Sequence, residues 1–110
     1  MNINAVDEFR NYPNFFRYIQ MDHTWIANFI YENPEVINLV KQINRCIDEG
    51  ISSITNKFRT TKWPVFEEFL SLLEDNGYET HYSRFCLPDE DKVDIKIILP
   101  KGLSEKDEYK

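Results

Sequence analysis

PVFEEFLSLLEDNGYETHYSRFCLPDEDKVDIKIIL, residues 64–99, contains the change of hydrophobic period that decides the fold. Its first third repeats like a helix. Val65, Phe66, Phe69, Leu70, Leu72 and Leu73 form one broad apolar face, and Glu67, Glu68, Glu74 and Asp75 cover much of the other. The spacing predicts a helix over 64–76, with Pro64 near its start and Asn76-Gly77 closing it. Tyr78 is placed to make the apolar contact that accompanies a left-handed glycine end. Beyond it the period drops to two. Val93, Ile95, Ile97 and Leu99 face one way and Asp94 and Lys96 the other, so 93–99 reads as a strand. A preceding strand runs from Tyr78 to about Leu87, and Pro88–Lys92 joins the two as a polar hairpin loop.

Working upstream, residues 51–58 (ISSITNKF) keep helical spacing through Ile47, Ile51, Ile54 and Phe58. A helix running through Gly50 would carry a penalty of about 1 kcal/mol and a run of Ser and β-branched residues that suit strands better. The segment is therefore assigned as a strand. Before it, Asn33-Pro34-Glu35 reads as cap, first-turn proline and dipole-complementing acid of a helix that buries Val36, Ile37, Val40, Ile43 and Ile47 and stops at Gly50. From Pro13, Phe15, Ile19, Ile26, Phe29 and Ile30 recur at helical spacing. Asp22 or Thr24 is available to cap a second helix, which leaves one bent helix or two short ones. Residues 1–12 form a lead-in segment anchored by Phe9. Residues 101–110 lack periodicity and are expected to be a disordered acidic tail. The expected architecture is a single α+β domain over 1–100: N-terminal helices, then β-α-β-β, a three-stranded sheet and helices making a two-layer sandwich.

A chain of 110 residues buries about two-thirds of its unfolded surface, enough for one core without staples. The net charge of −6 is uneven: −2 over 1–34, +2 over 35–62 and −6 over 63–110. A nonspecific nucleic-acid binder needs a positive field to release counterions, and the overall balance opposes that. An acidic surface suits solubility or a basic partner. Cys46 and Cys86, with no basic-then-apolar leader and no Asn-x-Ser/Thr sequon, read as free thiols in a cytoplasmic compartment. No apolar run approaches membrane-spanning length.

Residues 43–99 resemble a pattern found in small uncharacterised bacteriophage accessory proteins. Ile43, Ile47 and Gly50 end a helix, Ser53-Ile54-Thr55 begin a strand, and Leu70, Leu73 and Gly77-Tyr78 end the next helix. Ile95 and Ile97 alternate in the last strand, where those proteins often finish in tryptophan and this chain has Leu99-Pro100. The resemblance implies a phage-encoded protein, in a host cytoplasm, that acts by binding host or virion proteins.

Chemistry finds little purchase. His23, His81, Cys46 and Cys86 show no paired ligand spacing of the Cys-x-x-Cys kind, so no metal or other cofactor is expected. His81 and Cys86 differ by an odd number, which aims them at opposite faces of a strand and argues against a Cys–His pair. Three glycines leave no phosphate-cradling loop. The expected function is non-enzymatic protein binding, as an inhibitor of a host complex, with Glu67, Glu68, Asp89, Glu90, Asp91 and Asp94 as the partner-binding surface. The alternatives are a virion assembly or self-associating module using aromatics of residues 9–31, and a single-strand nucleic-acid binder gripping through Lys57, Arg59, Lys62 and Trp63. In each acidic or basic case the plainer reading, a solvated face, competes.

Overall fold

Two glycines stop the two long helices by the same device. At Gly50, φ is 76°, and the Ile51 N–H reaches back to the Cys46 carbonyl at 2.8 Å. At Gly77, φ is 91°, and the Tyr78 N–H reaches the Leu73 carbonyl at 3.0 Å. A side chain at either position would force an L-residue into the left-handed region, so glycine releases the chain into a strand in both places. Residues 11–20 and 22–100 are described in a computed structural model. Their elements are α1 (Pro13–Arg17), α2 (His23–Glu32), a 3-10 turn (Pro34–Val36), α3 (Ile37–Glu49), β1 (Ser53–Thr60), α4 (Trp63–Asp75), β2 (Glu79–Cys86) and β3 (Asp91–Ile98). Phe9 and the tail 101–110 lie outside the described residues.

The strands form one antiparallel sheet in the order β1-β3-β2. β3 sits in the centre, with Ile54 opposite Ile97 on one side and Thr80 opposite Ile97 on the other. β1 and β2 therefore run parallel to each other, and α4 is the crossover between them. The α+β class and its order of elements agree with the sequence reading. The hairpin differs: strand pairing persists to Asp91, which shortens the loop to residues 87–90, closed by the Leu87 N–H to the Glu90 carbonyl at 2.9 Å. Polar Asp91 and Lys92 had looked like loop, yet both continue the ladder, opposite Thr60 and Arg59.

The N-terminal region resolves as two helices. Asp22 caps α2, its carboxylate accepting the Thr24 N–H at 2.8 Å. Asn33 departs from expectation, because its side chain closes α2 instead of opening the next helix, donating to the Phe29 carbonyl at 2.9 Å. α1 is capped from a distance: Asn44 of α3 accepts the backbone N–H groups of Asn14 and Phe15 at 2.8 and 3.0 Å.

Val93, Ile95 and Ile97 of β3, with Ile54 of β1, belong to the same buried cluster as Phe15, Phe29, Ile43, Phe66, Phe69 and Leu73. Rings carry the packing between helices. Phe69 stacks on Phe15 and on Phe29, each with centroids 6.4 Å apart, and Phe29 stacks in turn on Trp25 at 5.8 Å. The other face of the sheet carries no element of the described residues that contributes to this cluster; its positions are Ser53, Thr55, Lys57 and Arg59, then Lys92, Asp94, Lys96 and Ile98, then Glu79, His81, Ser83 and Phe85.

Candidate functional site

Alternation along β2 turns Thr80, Tyr82 and Arg84 toward α4, and the contacts agree. The Thr80 hydroxyl donates to Glu74 at 2.6 Å, the Tyr82 ring packs on Trp63 at 4.8 Å, and the Arg84 guanidinium lies 5.9 Å from the Trp63 ring centroid. Arg84 is also held by Asp91 at 3.4 Å. Beside them runs one stripe of α4, Pro64, Glu67, Glu68, Ser71 and Glu74, at the three- and four-residue spacing that aligns side chains along a helix. The stripe and the strand enclose an open cleft of about 420 Å³.

β2 is also an edge. It pairs only with β3 among the described residues, so alternate residues turn both N–H and C=O outward. All its residues except Thr80 are exposed. Tyr82 keeps 47% of its surface, Phe85 54%, and Leu87, just past the strand, 40%. Tyr82 faces α4 and Phe85 the open face of the sheet, so the edge carries an exposed ring on each side.

The structure divides the six acids named from sequence. Glu67 and Glu68 stand on α4 at the cleft. Asp89, Glu90 and Asp91 lie at the β2–β3 turn, where Glu90 pairs with Arg59 at 3.2 Å and Asp91 with Arg84. Asp94 is on the far face of the sheet, opposite Lys57 and Ser83. They do not form one continuous surface. Glu74, Thr80 and Tyr82 complete the cleft and were not named as site residues. The lack of a regular apolar alternation over 79–86 (ETHYSRFC) was the available signal, since a strand buried on one face would carry one.

The basic set divides as well. Trp63 is buried, 2% exposed, and Phe58 packs on Phe66 at 4.7 Å, so neither ring offers a stacking platform. Lys62 is drawn to Glu35 at 2.8 Å. Lys57 and Arg59 project from the open sheet face, where register adds Lys92 and Lys96.

Glu35 opens a second cleft, about 450 Å³, between α3 and β1, with Asn38, Gln42 and Asn56 along it. The hydrogen bond from Lys62 holds the Glu35 carboxyl below its ordinary range. A depressed folded-state pKa stabilises the fold above the unfolded value, and that stability is lost as pH falls through the folded one. Glu35→Gln is therefore expected to lower unfolding free energy at pH 7 by less than about 1 kcal/mol. The difference from the parent fades as pH falls below the ordinary glutamate value of about 4.3. Urea titrations at pH 7 and pH 3 check this, and a gap that widens in acid contradicts it.

Among the described residues, no group of three or more His, Cys, Asp and Glu is placed to hold a metal ion. His81 and Cys86 occupy opposite faces of β2, as their parity requires. Cys46 is buried, which pushes its thiol up, and Cys86 is exposed; both are free. Also among the described residues, no helix is long and apolar enough to cross a membrane. No family model, curated protein or solved structure matches this chain.

Proposed function

We propose that this chain is a non-enzymatic protein-binding domain. One observation carries the reading: β2 presents an edge unpaired among the described residues, with exposed Tyr82 beside the glutamate stripe of α4 and exposed Phe85 on the opposite face of the sheet. An open edge is a template for another backbone, and natural domains commonly cover or blunt one that has no use for it. The narrower reading, a phage-encoded inhibitor of a host complex, is supported by the pattern over residues 43–99 alone. The test is cross-linked capture by the tagged full-length chain in its native cell, read by mass spectrometry, beside its mass in solution. A partner recovered in stoichiometric amount is expected. A defined homo-oligomer at micromolar concentration with no partner would turn the reading to self-assembly.

A second reading has its own observation. The open sheet face gathers Lys57, Arg59, Lys92 and Lys96 against Glu79 and Asp94, with Phe85 on the same face. Charge and a ring on one sheet surface can hold a single strand. Titration with labelled single-stranded DNA at low and moderate salt decides it, and no affinity at low salt removes it.

A further inference from the structure

We infer that the occupant of the β2 edge is an extended basic segment of the partner protein, which joins the sheet as a fourth strand and points alternate side chains at the glutamates of α4. This rests on the protein-binding reading and names the partner's chemistry. An added strand takes its affinity from main-chain hydrogen bonds and its selectivity from the side chains that face a neighbouring element. Here that element is α4. From Pro64 to Glu74 its stripe spans about 15 Å at 1.5 Å per residue, which matches four to five residues of extended chain at about 3.3 Å each. Every second residue of the segment then enters the cleft between Glu67, Glu68 and Glu74, with Tyr82 and Thr80 at its floor. Of the three glutamates only Glu74 has a hydrogen-bonding side-chain partner among the described residues, the Thr80 hydroxyl. Lysine or arginine at alternate positions meets this charge. The positions between face the same side as Phe85, which favours an apolar residue there.

The other occupants fit less well. A second copy pairing edge to edge would bring two glutamate stripes to one seam, and like charges across an interface oppose association. The chain's own tail, 101–110, expected above to be acidic, in fact balances three lysines against three acids and has no net charge to draw it in.

The experiment uses the isotopically labelled full chain and, as probe, an end-capped octapeptide alternating lysine and valine at low salt. Amide shifts are expected along β2 and along residues 67–74, with slowed hydrogen exchange at alternate amides of β2. A glutamate–valine octapeptide should produce neither. The variant Glu67→Lys/Glu68→Lys changes two exposed positions, should keep its thermal midpoint, and should bind the basic peptide about tenfold or more weakly. Shifts on the open sheet face instead, or none up to millimolar peptide, overturn the inference. So does slow exchange of the outward β2 amides before peptide is added, which would mean that another copy or the chain itself already covers the edge; mass in solution tells which. If the parent and the doubly substituted chain capture the cellular partner equally, the protein-binding reading stands and this one falls. If neither captures anything, the reading beneath it falls.

Discussion

Phe69→Ala is expected to remove about 3–5 kcal/mol of unfolding free energy. The ring is fully buried and lies between Phe15 of α1 and Phe29 of α2, at 6.4 Å from each, so a single side chain on α4 holds both N-terminal helices. Truncation removes the transfer free energy of the ring and leaves a cavity whose walls belong to three separate helices. Such walls collapse poorly, because each is tied to its own element. A domain of this size has about 5–15 kcal/mol in total, and the midpoint of thermal unfolding should fall by about 15 °C or more. Urea denaturation with unchanged slope is the measurement. Phe69→Leu keeps most of the volume and should cost less than half as much. A loss under about 1.5 kcal/mol for the alanine variant would show that α1 and α2 dock independently of this ring.

The choice of Phe69 illustrates what periodicity can reveal. Its place on the apolar face of 64–76 is plain from spacing, and so are the ends of α3 and α4, because glycine after an apolar-periodic run has a local physical cause. A strand at 51–58 was also legible, through a composition that helices disfavour, although the observed strand starts and ends two residues later, at 53–60. The order β1-β3-β2 was not. Three short strands offer several pairings, and the one adopted depends on which edges the helices leave open, a non-local matter. Residue parity did make one local point readable, since His81 and Cys86, on one strand, had to face apart.

Proximity in sequence did not become proximity in space for the residues named as a surface. Asp91 and Asp94 are three apart, yet an odd separation in a strand places them on opposite faces, so these two acids do not share a surface. Trp63 sits among Lys57, Arg59 and Lys62 in sequence, yet it is the first residue of α4 and turns into the core, where Tyr82 and Arg84 cover it. The cleft that remains joins residues 64–74 to residues 80–82 through an edge. Only the sheet order reveals that edge.

Asn76 shows the same division inside one residue. Its place before Gly77 marks a helix end, which sequence supplies. Its side chain does something sequence does not reveal: Oδ1 accepts the backbone N–H of Gln20 at 2.6 Å, 56 positions away, while Nδ2 donates to the Leu72 carbonyl at 2.7 Å. It is the one buried polar residue among those described, and it ties the segment between α1 and α2 to the end of α4. Asn76→Ala leaves a donor and an acceptor without their partner, each costing about 1–3 kcal/mol where water cannot replace it. Because the Gln20 end is only part-buried, a total loss of about 2–3 kcal/mol is expected from denaturant unfolding. Asn76→Asp separates the two bonds. The carboxylate keeps an acceptor for Gln20, loses the donor to Leu72, and sets a negative charge at a helix C-terminus, where the dipole opposes it. Protonation restores a donor, so the folded-state pKa of the substituted carboxyl must lie above its unfolded value. Its stabilising contribution is then complete in acid and lost as pH rises through the folded pKa. The gap between Asn76→Asp and the parent should therefore be small near pH 3 and large at pH 7. A gap that does not change with pH would mean that Leu72 does not need the donor.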